Sequence, residues 1–179
     1  MPFAYYDRLS TEDQATYRAS DAVTSIRLPG AQALAPTVEA IRAGLERDDR
    51  AAIERAARRL TAAVCAALGT RPPTVDLLEV RPRFTGGELH GLYTVDVRGR
   101  SRILVWMRTA RHARVVAFRT FLRTLLHEIG HHVDFRVLRL PTSFHTEGFF
   151  KRESSLFHQL VPDARPARLN LSGRGAGAP

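Results

Sequence analysis

His127-Glu128-Ile129-Gly130-His131 is an H-E-x-x-H sequence, set inside an apolar-periodic run that begins near Val115 and continues past His131. On an α-helix, residues four apart lie about one turn from each other on the same face, so both imidazoles can reach one metal ion. Glu128 lies about 100° round from His127, beside the two rings and not in line with them, which suits a base acting on water. The stretch thus predicts a helix carrying a zinc hydrolase centre, and the flanks can be asked whether they support it.

They do so in two ways. Thr124, Leu125, Leu126, Ile129, Gly130, His132 and Val133 keep the helix free of charge around the histidines, as a helix packed in a core requires. With His127 at zero, Phe118, Phe121, Leu122, Leu125, Ile129 and Val133 cluster between about 120° and 240°, while His131 falls at about 40°. The histidines therefore face away from the main apolar stripe. Asp134, at about −20° on the histidine face, is either a partner that orients one imidazole through its other ring nitrogen or a surface partner of a basic residue. His132 falls at about 140° and packs or hydrogen-bonds locally.

The motif and its flanks resemble those of the zincin metallopeptidases. The resemblance covers about Tyr93 to Leu160 as strand, strand, motif helix and ligand helix. It implies peptide-bond hydrolysis at a Zn²⁺ ion, with Glu128 as general base and a third protein ligand completing the site. The metzincin extension would need a His or Asp six residues after His131, and that position is Val137, so this branch is excluded. The gluzincin solution takes a glutamate from the following helix, and Glu147 and Glu153 are the candidates.

Helical phase favours Glu153. With Phe149 at zero, Leu156, Leu160, Phe157 and Phe150 form an apolar stripe centred near 40°, and Glu153 falls at about 40°. A carboxylate there is buried and must be paired or bound to a cation. Antiparallel packing of the two helices also brings Glu153 level with His131. Glu147 falls near 160° in the first turn, where the helix dipole explains it. Its segment Thr146-Glu147-Gly148-Phe149 nonetheless resembles the Asn-Glu-Gly-Phe-type segment in which one gluzincin family carries its zinc glutamate, so Glu147 stays open. His145 could donate to a tetrahedral intermediate or replace a glutamate as ligand, with a surface role at a helix start as the default. Tyr93 and His90 lie on a strand that can edge the cleft, where either could donate to an oxyanion, with structural roles as the default for both. Arg152 could steer a substrate carboxylate, with solvent exposure as the default.

The rest of the chain predicts an α+β fold. Ser10 with Asp13 three residues later starts an amphipathic helix from Leu9 to about Val23, Pro36 opens a second through Leu45, and Asp48 or Asp49 caps a third that Gly69 stops. After Pro72-Pro73 the period changes. Val75 to Val80, Leu89 to Val97 and Ile103 to Met107 read as about three strands of a small, mostly antiparallel sheet, with a turn at 84–87 and a short connection at 98–100. Thr142, Ser143 or Thr146 caps the last helix, which runs to about Leu160. The 179 residues, 44 % of them hydrophobic, suit one domain over residues 1–162, with a helical scaffold at 1–70 and a catalytic core at 74–162. The Arg-, Pro- and Gly-rich residues 163–179 read as a disordered tail.

The single Cys65 excludes an internal disulfide framework, and neither a membrane span nor a signal pattern is present, so cytoplasmic residence is the expectation. The formal charge of +9 is nearly all arginine, with Lys151 the only lysine. From Arg98 to Arg123 there are eight arginines and no acidic residue. An alternative function follows from that stretch: a binding or regulatory module whose basic face engages nucleic acid or an acidic protein. No nucleic-acid motif accompanies it, so a peptide or protein substrate is the favoured partner. The Ile103 to Met107 strand is the expected sheet edge for binding it.

Overall fold

The computed structural model describes residues 3–162. The expected disordered tail and the N-terminal two residues lie outside them. Three helices come first: α1 (Thr11–Ala22), α2 (Ala35–Glu46) and α3 (Arg50–Ala67). The Ser10 side chain accepts a hydrogen bond from the Asp13 N–H at the start of α1, and Asp49 accepts one from Ala52 at the start of α3. Each such cap stabilises its helix by about 1 kcal/mol. The strands β1 (Thr74–Val80), β2 (Arg83–Phe84), β3 (Gly87–Glu88), β4 (Gly91–Val95) and β5 (Ser101–Arg108) follow, then α4 (Phe118–Arg136) and α5 (Glu147–Leu160). The class is α+β, as the sequence predicts. No helix among the described residues is long and apolar enough to cross a membrane.

The main sheet has the order β1-β5-β4. β4 and β5 form the expected antiparallel hairpin, with Tyr93 opposite Ile103, while β1 lies parallel to β5 on its other side, with Val75 opposite Ile103. This corrects the expectation that the Ile103 to Met107 strand is an edge. Ile103, Val105, Trp106 and Met107 are buried, as a central strand requires, and the two edges are β1, whose Val75 and Leu77 carbonyls accept from Arg58 and Arg50, and β4. The expected turn at 84–87 is the tip of a two-stranded ribbon, β2 against β3.

α3 packs on β1, and α4 crosses β4 and β5. The apolar stripe predicted for α4 is the one that enters the core: Phe121, Leu122, Leu125, Ile129 and Val133 are each 0 or 1 % exposed. Full burial of each such side chain is worth roughly 1.5–3 kcal/mol. α5 lies against α4, and Gly130 permits the approach, since a Cβ there would come within 3.1 Å of the Phe149 ring. The Thr146 hydroxyl caps α5 by accepting from the Phe149 N–H at 2.9 Å. The pair of helices so formed holds the H-E-x-x-H face over the loop between them.

Candidate metal centre

His127 and His131 project from α4 one turn apart, as expected. His145 reaches the same point from the loop before α5. Its Nε2 stands 3.0 Å from Nε2 of His127 and 3.1 Å from Nε2 of His131. Each of the three residues offers a ligand atom within 4.8 Å of the others. Nitrogens about 2.0–2.1 Å from a tetrahedral zinc stand about 3.3 Å apart, so the spacing fits three imidazoles on one small cation. Three neutral rings with lone pairs converging at this range repel one another unless a cation or shared proton lies between them. The donor set therefore suits zinc.

The opposite nitrogens fix the tautomers. His127 Nδ1 lies 3.2 Å from Glu153 Oε2, and His131 Nδ1 lies 2.8 Å from the Ser143 hydroxyl. That hydroxyl donates to Asp134 Oδ2 at 2.7 Å, so it can only accept from His131. Both rings then carry their proton on Nδ1 and present a free Nε2 lone pair to the centre. Burial, with His127 and His145 nearby, pushes the His131 ring down to about 3, which keeps it in the neutral form that binds metal. The Phe149 ring closes the floor, its centroid 4.9 Å from those of both His127 and His131 and 5.3 Å from that of His145.

Glu153 is thus not where the antiparallel register put it. It is sheltered on the inner side of α5 as predicted, but the helix register sets it beside His127 instead of His131. Its carboxylate meets the outer nitrogen of that ring and the Arg123 guanidinium, 3.2 Å away. The third position converging on the two helix-borne rings is taken by His145. Glu147 is exposed on the first turn of α5 and paired with Lys151.

Glu128 is buried, and burial pushes its carboxyl up to about 7 against the opposing pull of His127 and of a hydrogen bond from the Tyr93 backbone N–H. Its place depends on Gly91. A Cβ at that position of β4 would come within 2.4 Å of Glu128 Oε1, so the absence of a side chain there lets the carboxylate lie against the free sheet edge. The Tyr93 hydroxyl is 3.1 Å from His132 Nδ1 and 3.0 Å from Ser101 Oγ, engaged away from the histidine cluster. His132 is buried and bonds the Arg71 carbonyl, a contact far off in sequence instead of a local one. His90 lines the cleft.

Asp134 is fully buried. Its second oxygen accepts from Arg152 Nη2 at 2.7 Å, and the same guanidinium donates to the Ser20 and Val23 carbonyls at the end of α1. Arg152, expected at the surface, is 2 % exposed. The motif helix is thereby linked to the N-terminal helix by side chains that the sequence treated separately.

Two clefts meet at the centre. One of about 610 Å³ runs past His90, Thr120 and Arg123, and one of about 360 Å³ past Tyr93, Phe135 and Thr142; both are lined by Gly91, His127, Glu128 and His145. Together they follow β4. No family model, curated protein or solved structure matches the chain. Its chemistry is read from these residues alone.

Several arginines of the 98–123 stretch are held by carboxylates. Arg102 pairs with Asp76, Arg108 with Asp48 and Glu79, and Arg123 with Glu153.

Proposed function

We propose that the chain is a zinc-dependent peptidase, zincin-like in its motif, in which His127, His131 and His145 hold the metal. The observation that carries this reading is the convergence of three Nε2 atoms, two of them with tautomers fixed from behind, beside a buried glutamate. Zn²⁺ at such a site supplies Lewis acidity for attack by water on a carbonyl. The chain supplies the rest. Glu128 takes the proton of the attacking water and returns it to the leaving amine. The free edge of β4 runs through the two clefts and receives an extended peptide by strand addition, backbone to backbone. Gly91 leaves the reacting carbonyl and Glu128 unobstructed on that edge. Cytoplasmic residence is part of the proposal and rests on the single, unpaired Cys65.

The test separates holding the metal from using it. Protein prepared without chelators is expected to carry about one zinc per chain by elemental analysis. Glu128→Gln should retain that zinc and lose hydrolysis of a quenched fluorogenic peptide library by about 10²–10⁴-fold. His145→Ala should lose the zinc. Wild-type protein without stoichiometric metal would sink the proposal, and so would a Glu128→Gln variant of full activity. Zinc retained by His145→Ala but lost by Glu153→Ala would return the third place to the glutamate.

A further inference from the structure

At the C-terminal end of α4, away from His127, a cleft of about 580 Å³ opens between the loop after α3, the β4–β5 turn and the end of the motif helix. Arg71, Arg98, Arg100, Arg136 and Arg139 line it, and no acidic residue does. These five come from three separate parts of the chain, so the run of arginines in the sequence does not reveal them as a set.

Their partners are unequal. Arg136 is spent on structure, donating to the Gly99 carbonyl at 2.6 Å and to Ser101 Oγ at 3.2 Å. Arg100 is paired with Asp96, whose carboxylate also accepts the Arg98 and Arg100 backbone N–H groups and so fixes the turn. The guanidinium groups of Arg71, Arg98 and Arg139 are exposed and have no ion pair or hydrogen bond among the described residues. Arg139 stands at φ +57°, two residues beyond the C-cap Val137 of α4, in the left-handed region that favours glycine. A side chain is placed on the cleft wall at a position where the backbone favours having none.

We infer that this cleft binds phosphate groups, as carried by a nucleic-acid strand or a nucleotide. A guanidinium presents a rigid fork that matches phosphate oxygens, and a carboxylate ligand would neutralise only one of three unpaired cations. A row of phosphates, with a negative charge about every 3.4 Å along a strand, matches several cations spread over one cleft. The inference is independent of the metal centre, because none of the five arginines touches His127, His131 or His145.

The test uses the full chain, a fluorescein-labelled single-stranded 20-mer, pyrophosphate, and poly-glutamate. Arg139→Gly removes a cation while putting the residue the backbone prefers at that position, so it should fold, and a melting curve checks that it does. Arg98→Ala/Arg139→Gly is expected to weaken oligonucleotide binding at least tenfold and to flatten its dependence on log salt by about one to two. Arg111→Ala/Arg114→Ala, outside the cleft, should stay within about twofold of wild type. Pyrophosphate binding that is lost in the cleft variant, with no binding of the 20-mer, supports the cleft with a small phosphate ligand as its source. Equal losses in both double variants would mean a diffuse basic surface and overturn the inference. Failure of both phosphate probes, or tighter binding of poly-glutamate through the same arginines, would overturn it too.

Discussion

The two helix-borne histidines are supported from behind in opposite ways. His131 leans on an interior chain, Ser143 to Asp134 to Arg152 to the carbonyls closing α1, in which Asp134 and Arg152 are 0 and 2 % exposed. His127 leans on Glu153, whose other partner, Arg123, is 41 % exposed and has its Cζ 4.1 Å from the Phe157 ring centroid. One support is welded into the fold and the other is draped over it. The difference teaches that a site's rigidity and a fold's stability need not be separable: disturbing the His131 side should disturb the whole molecule, and disturbing the His127 side only the site.

The largest effect tests the interior chain. Arg152→Ala strips the fully buried Asp134 of its cation, and removes the donors held by the Ser20 and Val23 carbonyls. Breaking a buried pair in this way costs about 3–5 kcal/mol, which for a chain of this size lowers the melting temperature by roughly 10 °C. Thermal melts of metal-stripped protein check it, because the loss is then independent of zinc. Adding Asp134→Asn should recover part of the loss, since the stranded charge is gone. A drop equivalent to less than ~1 kcal/mol, the range of surface pairs, would show that the two supports do not differ as described.

Smaller effects should appear in metal affinity. Changing a group that orients a ligating histidine lowers affinity by about 10–100-fold. Ser143→Ala should fall at the upper end, because His131 Nδ1 loses its acceptor and Asp134 loses a donor together. Glu153→Gln keeps an oxygen for His127 Nδ1 and should fall near the lower end. Zinc titration against a competing chelator dye measures both. The reverse order would place the more important support on the exposed side.

What could be read beforehand follows the range of the interactions involved. Caps and stripes are local: Ser10 and the buried face of α4 were legible, and Asp49 and Thr146 stood among two and three candidate caps. Glu153 was legible as a sheltered carboxylate needing a partner. Its phase on α5 did not say whether that partner was a metal or the far nitrogen of an imidazole, because the two differ by the width of one ring. His145 was legible as a possible replacement for the glutamate ligand, with a surface role as its default; what brings it to the site is the fold of the 137–146 loop and the Tyr5 hydroxyl that donates to its carbonyl from 140 residues away. The parallel pairing of β1 with β5 and the burial of Arg152 depend on contacts of the same long range. No periodicity records them.

The smallest effect sharpens the comparison most. Arg123 holds Glu153 at 3.2 Å while being 41 % exposed, so water and salt screen the pair. Arg123→Ala should therefore cost under about 1 kcal/mol of stability, and part of that comes from lost contact with the Phe157 face. Zinc affinity should change by less than Glu153→Gln changes it, because the carboxylate keeps its bond to His127 Nδ1. Raising salt should shrink even that difference, since the screening length falls to about 3 Å at 1 M, whereas the Arg152→Ala loss, at a pair 0 and 2 % exposed, should be nearly indifferent to salt. A pair of melting series at low and high salt reads both. If the Arg123 effect is large and salt-independent, the His127 support is as interior as the His131 one, and the contrast between a welded and a draped support fails.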